Sequence, residues 1–227
     1  MTLIIQKPTG AKLVLSKIQQ YPAVLGEPWG GGYFAGYISH TADGNPTHAL
    51  IVAPRATGAT GTGYTLFTML QWKTANTTTV GTTSAFDGAV NTAAIVTAGI
   101  ADHPAANFCV GLSIGGFTDW YLPSRFELDI AYFNLKPGTG INAAGGTNIY
   151  AVPQRSSDWT ADYPTQTALT AFNTSTEAFV LNRHWSSTEA SATAAWALNF
   201  TSGIQQSNMA GGKGFFAPVR AFRRIAL

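Results

Sequence analysis

The sequence contains little charge. Only 11% of its 227 residues are charged, whereas about a quarter is usual for a soluble domain. The formal net charge of +2 is too small to indicate binding to nucleic acid or to an anionic membrane surface. Uncharged polar residues and 24 glycines replace the missing charges. Such a composition is more typical of a protein that works outside a cell than of a metabolic enzyme.

Cysteine and long apolar runs are also scarce. The single cysteine, Cys109, excludes an intramolecular disulfide and a cysteine-based metal site. No stretch approaches the length of a membrane span, and Lys7 and Pro8 interrupt the apolar start where a signal peptide requires an unbroken run. An exterior type of composition without an export signal fits a virion component. We therefore expect a protein that assembles in the host cytoplasm and acts outside the cell, without membrane insertion.

The sequence offers few groups for catalysis or metal binding. The four histidines show no metal-binding spacing, and the carboxylates are too scattered to nominate an acid–base pair. We expect no cofactor, although a structural calcium bound by loop carbonyls and one or two aspartates stays open.

Residues 111–115 (GLSIG) match the G-x-S-x-G motif of serine hydrolases, and Asp158 or Asp162 and then His184 follow in the order of such enzymes. A nucleophile elbow needs a strand before the serine and a helix directly after it. Here a turn-like segment follows Ser113. We therefore interpret Ser113 as a loop serine and expect no enzyme activity.

Two helices are predicted within an otherwise strand-rich, α+β pattern. Asp87 is a candidate N-cap for a helix over residues 89–98. Its apolar stripe would contain Val90, Ala93, Ala94 and Ala98.

The second helix has a stronger start signal. Ser124 and Glu127 form a capping box directly after Pro123, and Pro137 follows the last periodic residue. The predicted apolar stripe contains Leu128, Ala131, Tyr132 and Leu135.

Strands are predicted over residues 33–39 and 48–53, and another apolar run follows at residues 66–74. Residues 136–183 are predicted to be loop-rich, and residues 185–225 to be β. Residues 3–18 predict a β-hairpin around a Pro-Thr-Gly turn. A lone hairpin is not stable in water. We therefore expect residues 1–25 to attach the protein to a virion or to hold subunits together, and residues 26–227 to form the main domain.

Several further motifs, taken in order, resemble one known pattern. They are residues 116–125 (GFTDWYLPSR), 127–128 (EL), 184–189 (HWSSTE), 195–196 (AW) and 218–224 (PVRAFRR). This order resembles the signature of the DUF1566 family of C-type-lectin-like domains, which are related in fold to formylglycine-generating enzymes and to phage major tropism determinants. Residues 3–13 separately resemble the opening of phage tail structural proteins.

The resemblance implies a C-type-lectin-like fold with mostly antiparallel strands, in a phage tail-fibre or tail-tip receptor-binding protein. Its expected partners are a host surface saccharide or outer-membrane protein, other tail proteins, and further copies of the chain in a homotrimer. Formylglycine chemistry depends on paired cysteines, which are absent. Glu27-Pro28-Trp29 is the nearest match to the calcium-lectin motif E-P-N, with the wrong third residue and in the wrong region, so calcium-mediated sugar binding is not expected.

In the tropism determinants the C-terminal strands and loops form a display surface, and in some members a diversity-generating retroelement rewrites those codons. The equivalent segment here is residues 190–213, which the resemblance marks as the receptor-binding region. Its small polar residues offer adaptable hydrogen bonding, and its few large side chains add contact area. The candidate contact residues are Trp196, Asn199, Thr201, Ile204, Gln205, Ser207, Asn208, Met209 and Lys213.

Two other interpretations remain for this segment: a surface hairpin without a partner, or a contact to another subunit in a purely structural virion component. The remaining conspicuous residues are expected to be structural. Trp72, Trp120 and Trp185 should fill the core. The arginine cluster at residues 220–224 should pair with carboxylates such as Glu127 and Glu189.

Overall fold

The computed structural model describes residues 21–61 and 69–227. These residues form an α+β fold with antiparallel strand pairing, as predicted. The helix prediction was incomplete, because two short helices, α1 (Arg55–Gly58) and α3 (Pro104–Val110), accompany the two expected ones. The predicted hairpin at residues 3–18 and the start of the apolar run at residues 66–74 lie outside the described residues.

The main sheet joins distant parts of the chain. It consists of β1 (Pro28–Trp29), β2 (Gly32–Ile38), β3 (His48–Val52) and β10 (Phe222–Ala226) in that order, with β5 (Ala151–Val152) paired to β2. The sheet therefore places the C-terminal strand against β3, so that early and late segments share one core.

Both faces of this sheet are covered. Along β3, Ala49 and Ile51 belong to one hydrophobic cluster, while Leu50 and Val52 belong to a second one. Helices α2 (Gly88–Gly99) and α3 contribute to the first cluster, and α4 (Arg125–Leu135) contributes to the second. Because side chains alternate between the two faces of a strand, a strand buried on both faces is apolar almost throughout.

Helix α2 begins as predicted but buries a different face. The Asp87 side chain accepts a hydrogen bond from the Val90 backbone, which confirms the N-cap. The predicted apolar stripe is wrong, since Val90 is 52% exposed and the buried positions include Asn91 and Thr92. Asn91 hydrogen-bonds Ser84 and Ser187, and Thr92 bonds the Leu122 backbone. Satisfied polar side chains can therefore occupy a buried helix face.

Helix α4 is confirmed in both respects. Ser124 and Glu127 make the reciprocal capping box, and the predicted stripe is buried. The Glu127 carboxylate also accepts hydrogen bonds from the Gly88 backbone and the Tyr121 hydroxyl. One capping residue thus connects the start of α4 to the start of α2.

Two smaller sheets complete the fold. Strand β4 (Leu70–Gln71) pairs with β9 (Phe216–Ala217). Strands β6 (Arg183–Ser191), β7 (Ala194–Asn199) and β8 (Gln205–Gln206) form a three-stranded sheet in that order. Residues 136–182 are loop-rich as predicted, with β5 as their one strand in the described structure.

The large aromatic and basic side chains are structural. Trp72, Trp120 and Trp185 are buried, as predicted. The three arginines do pair with carboxylates, but the predicted partners were wrong. The observed ion pairs are Arg220–Glu177, Arg223–Asp119 and Arg224–Asp87. Sequence spacing carries no information about which of these loop and cap carboxylates lie near β10.

His184 on β6 is a buried, uncharged member of the core. Its ring packs edge-on against Phe179 and Phe200, and Nδ1 lies 3.2 Å from the Asn182 carbonyl oxygen. Burial lowers the pKa of His184 from 6.5 to about 3. The folded protein therefore keeps this ring neutral under conditions in which the unfolded chain protonates it.

Replacing His184 with Gln is expected to reduce the loss of stability in acid. Because the pKa of His184 is lower in the folded state, unfolding takes up a proton as the pH falls below 6.5, which favours the unfolded chain. Between pH 7.5 and pH 5 the wild type should lose about 2 kcal/mol more unfolding free energy than H184Q. Urea unfolding at each pH measures the two losses, and equal losses would contradict the assignment.

Candidate functional site

The predicted contact residues lie along β7, β8 and the turn between them. We use the name edge surface for the exposed and half-exposed members of this set: Trp196, Asn199, Thr201, Ile204, Gln205, Ser207 and Asn208. In the described part of the chain β8 pairs with β7 alone. The other side of β8 is therefore an open sheet edge.

The turn at residues 199–205 is held in one conformation. The Asn199 carbonyl accepts hydrogen bonds from the Ser202 and Gly203 backbones, and the Asn199 side chain accepts one from the Thr201 backbone. Gly203 has a φ of +74°, and a Cβ at this position would lie 2.5 Å from the Tyr132 ring. Only glycine fits this backbone and this contact, so Thr201 and Ile204 project from a fixed turn.

Trp196 lies against the first residue of α4. The guanidinium carbon of Arg125 is 4.1 Å from the centre of the Trp196 ring and 4.8 Å from that of Phe126. A cation between two aromatic faces is held by their quadrupoles and by contact area. The Trp196 indole therefore packs against the first residue of α4.

Gln205 also contacts α4. Its Nε2 donates to Asp129 Oδ2 at 3.4 Å, and Asp129 is buried and paired with Arg155 and Asn148. Oε1 of Gln205 is buried without a hydrogen-bond partner. The Gln205 side chain is thus positioned mainly by contacts within the protein. It offers less to a ligand than the side chains of Ser207 and Asn208 do.

Met209 and Lys213 were predicted as contact residues, and the structure corrects both. Met209 is 7% exposed and packs in the same cluster as Trp72. Lys213 is fully buried. Its Nζ lies 3.1 Å from Glu189 Oε1 and donates a hydrogen bond to the Thr77 carbonyl at 2.8 Å, so the buried charge has partners. Burial lowers the pKa of Lys213, and the Glu189 carboxylate opposes that shift.

The segment after the edge surface is therefore fixed to the body of the protein. The Lys213 carbonyl accepts hydrogen bonds from the Trp72 and Lys73 backbones, and the Lys213 backbone nitrogen donates to Thr193. Residues 201–208 present side chains to solvent, whereas residues 209 and 213 anchor the segment. The prediction that contact residues extend to residue 213 was therefore wrong for residues 209 and 213.

A cleft of about 380 Å³ lies between α4 and the loop at residues 154–163. Its lining includes Phe133, Arg155, Asp158, Trp159 and Tyr163, and it contains no residue of the edge surface. The Trp159 ring also lies beneath the Gly203 turn, where a Cβ would approach it to 2.7 Å.

The serine motif does not have the geometry of a nucleophile elbow. Ser113 is exposed and follows α3, so a helix precedes it where the elbow needs a strand. His184, the base in the hypothetical order, is buried among aromatic rings. Ser113 is a loop serine, as interpreted from the sequence.

Within residues 21–61 and 69–227, no three His, Cys, Asp or Glu side chains form a group that could hold a metal ion. None of the helices in those ranges has both the length and the apolar character of a membrane span.

No protein-family model matches the chain, and a search of curated proteins finds no match either. The resemblance to the DUF1566 domains therefore stays an interpretation of the sequence motifs.

The contacts of two residues that shape the site were not predicted from the sequence. Arg125 directly follows the Ser124 cap, and its contact with Trp196 joins positions far apart in the chain. Glu189 was expected to pair with an arginine and instead binds Lys213. The scarcity of charge could have indicated the pairing of Lys213. An isolated lysine in a segment with almost no charge needs a partner if it is buried.

Replacing Lys213 with Met is expected to destabilise the fold by about 3 kcal/mol, because it leaves the buried Glu189 carboxylate without its counter-charge. Asn208 is exposed, so replacing it with Ala should change stability by less than about 0.5 kcal/mol. Denaturant unfolding measures both variants. A stable K213M variant would contradict the anchoring role.

Proposed function

We propose that the chain is a receptor-binding protein of a phage tail, and that the edge surface contacts a molecule on the host cell surface without catalysis. The observation that carries the proposal is the division within residues 196–213. Seven of the nine predicted contact residues are exposed or half-exposed along β7, β8 and the chain next to them, while the two that are buried fix the following segment to the body of the protein.

This division suits recognition because a surface that is already ordered loses little conformational entropy on binding. The turn is fixed by Gly203, and the following segment is fixed by Lys213. The side chains of the edge surface are mostly Ser, Thr, Asn and Gln, which adapt their hydrogen bonds to a ligand at little cost.

Several copies on one particle would compensate for a weak single site. We propose a homotrimer, with residues 1–25 attaching it to other tail proteins and residues 26–227 carrying the edge surface. If the geometry lets several copies bind at once, the avidity exceeds the single-site affinity by about a hundredfold or more.

A purely structural role in the virion is the second candidate, and the open edge of β8 favours it. An unpaired strand edge presents backbone donors and acceptors that another chain can extend. In that case the edge surface would be buried between subunits, and changing it would impair particle assembly rather than cell binding.

The double variant S207A/N208A is expected to reduce adsorption of the labelled, full-length protein to a panel of bacterial strains by about tenfold or more, since a few residues dominate binding energy at most interfaces. The matched control is S113A/N107A, which removes an exposed serine and an exposed asparagine from the region of α3. Flow cytometry measures the bound label, and unfolding curves verify that both variants are folded.

Unchanged adsorption of S207A/N208A, or an equal loss in the control, would contradict the proposed contact surface. Failure of the wild type to adsorb to any strain, together with loss of particle assembly in S207A/N208A, would support the structural role.

A further inference from the structure

The buried and partly buried cations of this charge-poor protein have oxygen partners. In the described residues, Lys213 and Arg220 are buried and pair with Glu189 and Glu177, and the partly buried Arg155, Arg223 and Arg224 pair with Asp129, Asp119 and Asp87. Lys73 and Lys136 are buried without a carboxylate, and each donates three hydrogen bonds to carbonyl or side-chain oxygens. Arg125 is different. Across residues 21–61 and 69–227, no carboxylate forms an ion pair with it, and its guanidinium donates no hydrogen bond to these residues.

The Arg125 guanidinium is nevertheless held firmly. It lies against the rings of Phe126 and Trp196. Its Nε is buried and has no hydrogen-bond partner, which is true of neither Nη1 nor Nη2. Burial lowers the pKa of Arg125, and no nearby carboxylate raises it. Arg183 also has a buried, unpartnered Nε, but no aromatic ring in the described structure holds its guanidinium.

A partly desolvated cation without a counter-charge raises the free energy of the unbound protein. An anion that reaches Nη1 and Nη2 would form charge-assisted hydrogen bonds to a planar group that its two rings already orient. The backbone N–H groups at the start of α4 are satisfied by Glu127 and Thr188. The guanidinium itself is therefore the donor that remains for a ligand.

This guanidinium lies at the edge surface. The β7–β8 register pairs Ala197 with Gln206, so Trp196 and Ser207 are the residues that directly adjoin the last pair of this ladder. An anion on Arg125 would thus be next to Ser207 and Asn208, whose uncharged groups suit the hydroxyls of a saccharide. Large exposed apolar side chains, which dominate protein–protein contacts, are scarce here, since Ile204 is 36% exposed and Trp196 is partly covered by Arg125.

We propose that the edge surface binds an acidic saccharide, and that Arg125 binds its carboxylate or phosphate group. This inference rests on the proposed function and names the ligand class of the same site. Trp196 acts as a positioning residue, because its ring holds the guanidinium in place.

The test uses calorimetric titration of the full-length protein with glucose 1-phosphate, N-acetylneuraminic acid and neutral glucose. At least one of the two anionic sugars should bind about tenfold or more tightly than glucose, and the one that does so identifies the phosphate or the carboxylate as the anion. R125Q should weaken that binding by about tenfold or more. R125K should recover part of the loss, because it keeps the charge without the planar fork.

The matched control is R55Q, which removes the same charge from a half-exposed arginine that contacts Ser175 instead of the edge surface. It should leave the affinity unchanged. Equal affinity for glucose and the anionic sugars, no binding of either anionic sugar at tens of millimolar, or an unchanged affinity in R125Q would overturn the inference. Arg125-dependent binding of a poly-aspartate peptide without binding of either anionic sugar would overturn the saccharide class.

Adsorption separates this inference from the proposed function. If S207A/N208A loses adsorption while R125Q retains it, the edge surface binds a receptor and only the anionic ligand is wrong. If neither variant changes adsorption, the proposed function fails as well.

Discussion

The buried ion pair between Lys213 and Glu189 is the interaction on which the proposed surface depends. The Glu189 carboxylate also accepts hydrogen bonds from the Thr79 backbone and the Thr82 hydroxyl, so three segments meet at one buried charge. Neither the loop at residues 73–82 nor the segment at residues 209–211 forms a helix or strand. Backbone and side-chain hydrogen bonds around this pair give them the order that regular structure would otherwise provide.

Buried charges also explain which segments are held in place. Charges are rare in this chain, and several of the buried or partly buried ones join segments that are distant in sequence, as Arg220 joins residue 177 and Arg224 joins the cap of α2 to β10. The edge surface contains no such pair. Its order comes instead from the turn at Gly203 and from the buried Lys213 in the segment that follows, so its exposed side chains remain available for contacts.

Much of the fold followed from local patterns. The capping box at Ser124, the N-cap at Asp87 and the strands over residues 33–39 and 48–53 are short-range signals, and the structure confirms them. Helix α3 was missed because its seven residues are too few for a periodic pattern. The buried face of α2 was misassigned because hydrogen-bonded Asn91 and Thr92 replace apolar residues there.

The candidate site was predictable as a region but not in detail. The resemblance marked residues 190–213 as the contact region, and seven of its nine candidate residues are exposed or half-exposed there. The partners of Lys213, Gln205 and Trp196 are distant in sequence. Which residues of the segment face inward depends on such tertiary contacts. The sequence therefore could not show that Met209 and Lys213 are buried.

The place of β10 in the main sheet has a consequence for biosynthesis. Phe222 pairs with Val52, so about 170 residues separate the partners, and at about 5–20 residues per second a ribosome needs roughly 10–30 s to join them. Until then one side of β3, including Leu50 and Ile51, lacks its neighbouring strand. The nascent chain therefore exposes an unpaired strand edge for most of its translation, during which another strand could pair with β3.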